Sequence, residues 1–317
     1  MKGFLWMFFI SAICFSQSSK DKAKTYMADK DYKKAELELT AYVSSNPNDK
    51  EAIELLGDAY GYQKEWDSAI EQYEKLKDNY PNNANYHYKY GGALGMKALN
   101  ISKIRALGII GDVKEAFLKA AELDPKHIDT RWALVELYVS LPGIIGGSNS
   151  RALKYANELQ NLSKVDGYLA KGYVYEYDDE PELAEKYYKL AIEEGGSVTC
   201  YEKLTNFYES NHQPDKAIDN LEEAQRKHQR NAMHYQIGKV CADYNIQLEK
   251  GEKCLKAYLS NHSAKDGVPK AWAYYRLAQI YKHKNDKTEA LKWIDKAIAG
   301  LPDIQVFQEE KATISEL

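Results

Sequence analysis

Apolar and small residues recur along this chain at intervals of three and four, with polar residues filling the gaps. The pattern is cleanest at 50–83. Between Glu51 and Gln63, Ile53, Leu56, Gly57 and Tyr60 share one helical face. From Trp66 to Asp78, Trp66, Ala69, Ile70, Tyr73 and Leu76 do the same. Asn79 and Pro81 end the second helix, because proline cannot continue it and pushes the preceding residue away from helical angles. Neither stripe can be buried alone, so the two helices are expected to pack as an antiparallel hairpin. Gly57 lies inside a helix, where it costs about 1 kcal/mol against alanine. Close backbone approach by a neighbouring helix is the expected compensation.

This hairpin serves as a ruler for the rest of the chain. Tyr26, Tyr32, Ala35 and Pro47 precede Tyr60, Trp66, Ala69 and Pro81 by 34 residues. Tyr60, Ala69, Leu76 and Pro81 are spaced 9, 7 and 5, as are Tyr26, Ala35, Tyr42 and Pro47, and Tyr281, Ala290, Ala297 and Pro302. Tyr175, Ala184 and Ala191 keep the 9 and 7, and so do Tyr208, Ala217 and Ala224. With Leu56, Gly57, Tyr60, Ala69, Tyr73 and Pro81 in register, the 34-residue period resembles the tetratricopeptide repeat (TPR). The resemblance implies an all-α fold: an α-solenoid of about eight antiparallel helix hairpins forming a right-handed superhelix. The repeats are read at 17–49, 50–83, 84–127, 128–164, 165–197, 198–230, 231–263 and 271–304. In the tail, 305–317, Val306 and Phe307 follow Ile304 and the rest is mostly polar, so it reads as the start of a capping helix that frays.

Two adjacent repeats depart from the ruler. In the third, Pro81 to Pro125 spans 44 residues instead of 34. The extra ten lie near 96–108, and helix formers there predict that the first helix simply runs on, with the turn at Gly108–Gly111 and a second helix from Val113 to Leu123. In the fourth, the turn swells to Leu141–Ser148, LPGIIGGS, with Asn149 or Ser150 as the expected cap of the next helix. Corresponding turns project from the same edge of a stack. Leu99, Ile104, Leu107, Ile109 and Ile110 are therefore expected to pack near Ile144 and Ile145.

The amino terminus differs in kind. Lys2 precedes an uncharged apolar stretch of twelve, Phe4 to Phe15. It is short for a bilayer span and fits a signal peptide, 1–16, with cleavage after Ser16. Lipidation at Cys14 is the rival reading, for which Ile13 is a poor fit. Export to the periplasm or beyond the cell is the expectation. Removing Lys2 takes the net charge from −4 to −5. Lysines and acids are interspersed, so no block of charge suggests nucleic acid. Cys200, Cys241 and Cys254 would remain; Cys241 and Cys254 could meet across one hairpin, or all three stay as buried thiols.

No catalytic pattern stands out. HExxH, the Walker motif and GxSxG are all missing, and the seven histidines show no ligand spacing. Gly143–Gly147 lacks the lysine of a phosphate loop and follows a helix, so it reads as a structural turn. Asp178, Asp179 and Glu180 read as a solvated turn without EF-hand spacing. No cofactor or metal is expected, and no enzymatic activity.

What remains is surface. By resemblance, the first helices of a TPR array line a concave groove that binds peptides. Carried over by repeat position, this groove would show Tyr62, Tyr88, Trp132, Tyr173, Tyr177, Tyr235, Trp272 and Tyr275, with Lys203, Asn206, Gln236 and Arg276 among them. Some TPR domains clamp a terminal carboxylate with lysine, asparagine and arginine. Asn206 and Arg276 match that pattern and Gln236 nearly does, but the two lysine positions hold Glu202 and Trp272. The function expected is a non-enzymatic protein-interaction scaffold that holds a peptide or protein segment in the cell envelope or outside the cell. An aromatic groove that carries or senses a glycan or small molecule is the alternative. The mature chain has no transmembrane candidate.

Overall fold

The apolar stripes do form helices. The computed structural model describes residues 19–317, and every regular element among them is helical. The stretch expected to be a signal peptide, 1–16, and with it Cys14, lies outside the described residues. The chain divides into two compact units, the first reaching Ser163 and the second starting at Lys164. The first unit holds α1 (19–28) with α2 (Tyr32–Ser45), then α3 (Lys50–Tyr62) with α4 (Trp66–Asn79). The third hairpin is α5 (Ala84–Asn100), the short α6 (Lys103–Leu107) and α7 (Ile110–Leu123); the fourth is α8 (Ile128–Ser140) with α9 (Asn149–Leu162). The second unit pairs α10 (Lys164–Tyr177) with α11 (Pro181–Glu194), α12 (Val198–Ser210) with α13 (Pro214–His228), α14 (Asn231–Tyr244) with α15 (Leu248–Ser260), and α16 (Lys270–His283) with α17 (Lys287–Gly300). Helix α18 (Gln305–Ser315) closes it.

The glycine in the first helix is a seat for a large side chain of the second. A Cβ on Gly57 would stand 2.6 Å from Tyr73 Cε1, and one on Gly172 would stand 2.7 Å from the Tyr188 ring. Gly238 faces Leu255 in the same way, and Gly91 faces Phe117. The approach is thus by a ring or branched side chain, not by backbone. Seat and occupant are 16 residues apart in the first two pairs and 26 apart in Gly91 and Phe117, so the ten extra residues fall between them.

Six hairpins turn the same way. The carbonyls of Tyr26, Tyr60, Tyr175, Tyr208, Cys241 and Tyr281 each accept from the N–H five residues on, at 2.8–3.1 Å. The residue before each donor is left-handed: Lys30, Lys64, Asp179, His212, Asn245 and Asn285 have φ between 52° and 63°. This is a Schellman turn, which satisfies carbonyls left open at a helix end.

The third and fourth hairpins lack it, and there the structure corrects several expectations. Helix α5 does not run on to 108. It ends at Asn100, with Ile101 extended, and α6 follows as a separate piece. Helix α7 starts at Ile110, earlier than Val113. In the fourth hairpin the Tyr138 carbonyl accepts from Ser148 N–H at 2.9 Å, ten residues on. The bubble between them contains a 3₁₀ turn at Gly143–Ile145 and Gly146 at φ +103°. Ser148, not Asn149 or Ser150, caps α9, accepting from Arg151 N–H at 3.3 Å. Leu99, Ile104, Leu107 and Ile144 stay exposed, so these four are not buried by packing between the two inserted segments, while Ile109, Ile110 and Ile145 are half-buried. Helix α6 buries none of its own residues. The tail does not fray early either: α18 is held by buried Phe307 and Ile314.

Tyrosine abundance follows from the packing. A ring fills a gap between helices while its hydroxyl reaches a carboxylate at the rim. Tyr42 donates to Asp49 at 2.9 Å, Tyr73 to Asp58 at 2.6 Å, Tyr188 to Glu176 at 2.7 Å and Tyr201 to Glu223 at 2.8 Å. Cys200, Cys241 and Cys254 are free thiols, and burial pushes Cys241 up to about 12.

Candidate functional site

In the first unit, charges on the first helices are cross-paired between successive hairpins. Lys89 on α5 reaches Glu54 at 2.8 Å and Asp58 at 2.7 Å, both on α3. Burial disfavours its charged form, but the two carboxylates outweigh that and hold its pKa above the ordinary value. Of the predicted groove residues here, Tyr62 is 62% exposed and stacks on Tyr32, ring centroids 4.4 Å apart. Tyr88 is half-buried beside Phe117 and His127. Trp132 is half-buried on α8.

In the second unit, Tyr173 and Tyr177 lie one turn apart on α10, ring centroids 4.8 Å apart, with Tyr177 59% exposed. Lys203 and Asn206 are exposed on α12. Gln236 is half-buried on α14. Tyr235 and Tyr275 are placed inside instead, each only 6% exposed. Tyr235 packs on Tyr258, and Tyr275 and half-buried Trp272 pack on Phe307 of α18.

Charges in this unit are again cross-paired. Lys239 reaches Glu209 at 2.7 Å, and the Tyr244 hydroxyl donates to the Glu209 carbonyl. Arg276 pairs with Asp243 and also donates to Gln279 at 2.8 Å. Desolvation raises the Asp243 carboxyl, against the pull of Arg276 and Lys239. Two open hollows lie against the second helices. One, of about 820 Å³, is lined by Lys77, Lys119, Asp112 and Glu122 among others; another, of about 510 Å³, by Glu185, Lys189, Lys216 and Arg226. Both mix charges of opposite sign. Among the described residues no cluster of His, Cys, Asp or Glu is arranged to hold a metal, and no helix is long and apolar enough to cross a membrane.

Tetratricopeptide-repeat family models match residues 51–83, 165–194 and 273–299. The fold is similar along nearly its whole length to a solved tetratricopeptide repeat protein from Parabacteroides merdae ATCC 43184. That match has a TM-score of 0.52 at 13% identity, over 95% of this chain and 98% of that one. The chain is a TPR protein. Looser matches are YrrB, a TPR protein with an unusual peptide-binding site (TM-score 0.42, 21% identity, 62% of this chain and 98% of that one), and a thermophilic TPR protein from Thermus thermophilus (0.41, 15%, 77% and 99%). At these identities the likeness concerns fold alone. A search among curated proteins finds no significant match.

As a TPR face, the second unit differs from a carboxylate clamp in one further respect. Arg276, which matches the clamp arginine by position, is already engaged by Asp243. Position-by-position reading missed Asp243, Glu209 and Lys239. A signal for them was present. Lys239 follows Glu209 by 30 residues and Arg276 follows Asp243 by 33, close to one repeat. Lys89 and Asp58, 31 apart, and Lys284 and Glu252, 32 apart, obey the same rule. Opposite charges about one repeat apart thus tie the second hairpin to the third, the sixth to the seventh and the seventh to the eighth.

Proposed function

We propose that this TPR protein is a non-enzymatic interaction module whose second unit holds an extended peptide or protein segment across α10 and α12. The observation that carries this reading is the contrast along the first helices. Charges on α14 and α16 are consumed by Glu209–Lys239 and Asp243–Arg276. Exposed Tyr177, with Tyr173 beside it, and exposed Lys203 and Asn206 stand on neighbouring helices. Aromatic rings with a polar handle bury large area at little entropic cost, and Lys and Asn supply contacts for a peptide backbone or an acidic group. The setting we propose is the cell envelope or the exterior, on the strength of the apolar stretch from Phe4 to Phe15.

The test is affinity capture from envelope extracts with mass spectrometry. One protein should be enriched by the wild type and lost with Tyr177→Ala combined with Lys203→Ala, two exposed positions whose change should leave the melting temperature in place. Equal recovery by the wild type and the double variant would refute the reading.

A further inference from the structure

The two inserted segments carry residues that the TPR framework does not use. Ile104 is 84% exposed on α6, Leu99 is 77% exposed at the end of α5, and Ile144 is 96% exposed on the 3₁₀ turn. Each segment joins the first helix of its hairpin to the second, and the hairpins are successive, with α7 packed on α8. Both therefore leave the same edge of the first unit. Lys114, near the start of α7, lies beside the second segment: its Nζ is 3.8 Å from where a Gly146 Cβ would be and 5.9 Å from the Tyr138 ring. Arg151 covers the same ring at 5.6 Å.

The charge of this edge runs against that of the chain. Residues 96–114 and 141–151 contain Lys97, Lys103, Arg105, Lys114 and Arg151, against one carboxylate, Asp112. Asp67 of the preceding hairpin offsets Lys97 at 2.5 Å. Five cations against two acids leave +3 here, in a protein of net −4. Apolar tips flanked by an excess of cations match an anionic bilayer: the tips enter the headgroup boundary while Lys and Arg meet lipid phosphates. A protein partner would need a recess for each tip. Ile104 and Ile144 stand almost fully free on separate short segments, and acyl chains receive such projections without a preformed shape.

We infer that the edge formed by α6 and the Gly143–Ile145 turn docks on an anionic lipid surface. Hydrogen exchange of the full chain, read by mass spectrometry, tests this segment by segment, so binding through residues 1–18 is told apart. The probes are vesicles of phosphatidylcholine with about 30% phosphatidylglycerol, and of phosphatidylcholine alone. Anionic vesicles should slow exchange at 99–110 and 141–148 at least several-fold, neutral ones should not, and Ile104→Ser with Ile144→Ser should abolish the effect. Both positions are exposed, so the variant should keep its helicity and melting temperature. No slowing on anionic vesicles, or equal slowing in the variant, overturns the inference. Slowing that instead follows protein concentration without vesicles also overturns it, and assigns the edge to a second copy of the chain.

Discussion

At the residue scale, the seat at Gly57 makes the clearest claim. Tyr73 is buried, its ring rests on the bare backbone of α3, and its hydroxyl is fixed by Asp58. A side chain at 57 must displace that ring from both contacts. Gly57→Ala should therefore destabilise by about 1–3 kcal/mol, the usual cost of overpacking. Gly92, one helix hairpin later, has nothing within 4 Å of its missing Cβ. There Gly→Ala should stabilise by up to about 1 kcal/mol through helix propensity alone. Urea titrations of the two variants should move in opposite directions; a shared direction would show that the ring is not the determinant. The exception at position 57 was legible as a glycine inside an apolar stripe. The identity of its occupant was not, because only packing shows which side chain of the second helix crosses over it.

At the element scale, the turns divide the hairpins into two kinds. In the six regular ones a non-glycine residue takes left-handed angles, at about 1–2 kcal/mol for an L side chain. Lys64, exposed with φ 63°, is the simplest to relieve. Lys64→Gly should raise stability by roughly 1 kcal/mol, less the entropy that glycine adds to the unfolded chain. An unchanged or lowered urea midpoint would mean that Lys64 is held by more than turn geometry. In the fourth hairpin Ser148 is both donor to Tyr138 and cap of α9. Ser148→Ala keeps the backbone bond and removes the cap, so a loss of about 1 kcal/mol is expected by the same measurement. The periodicity identified where the insertions fall, since 44 residues replaced 34. It did not show their form. Residues 96–108 read as helix formers, but Leu99, Ile104 and Leu107 stay exposed. Without burial, local propensity holds only the five residues of α6.

At the scale of the whole molecule, a repeat protein is stable only as far as each hairpin is tied to its neighbour. In the second unit two carboxylates make such ties. Glu185 on α11 accepts from Tyr208 on α12 and Lys216 on α13; Glu252 on α15 accepts from Tyr281 and from Lys284. Burial favours their neutral forms, yet Lys189, Lys216 and Tyr208 around Glu185, and Lys256, Lys284 and Tyr281 around Glu252, prevail. Both carboxyls are held down at about 2 against the usual 4.5. A pKa lowered by folding means that the unfolded chain binds protons first as the pH falls. The stabilisation is therefore complete above about pH 4.5 and disappears as pH drops through about 2. Lys189 and Lys256 share a helix with their carboxylates, but Tyr208, Lys216, Tyr281 and Lys284 lie on the next hairpin, so each protonation loosens a junction between hairpins and not merely a surface pair. Glu185→Gln with Glu252→Gln keeps the shape and removes the charge. Its urea midpoint should fall below that of the wild type by a constant amount from about pH 7 to about pH 5. The gap should then narrow and close near pH 2, where the wild type has lost the same charges. The other carboxylates of the chain titrate alike in both proteins and cancel from the difference. A gap that persists unchanged at about pH 2 would mean that glutamine harms the junction through its hydrogen bonds, and that charge is not what binds these hairpins.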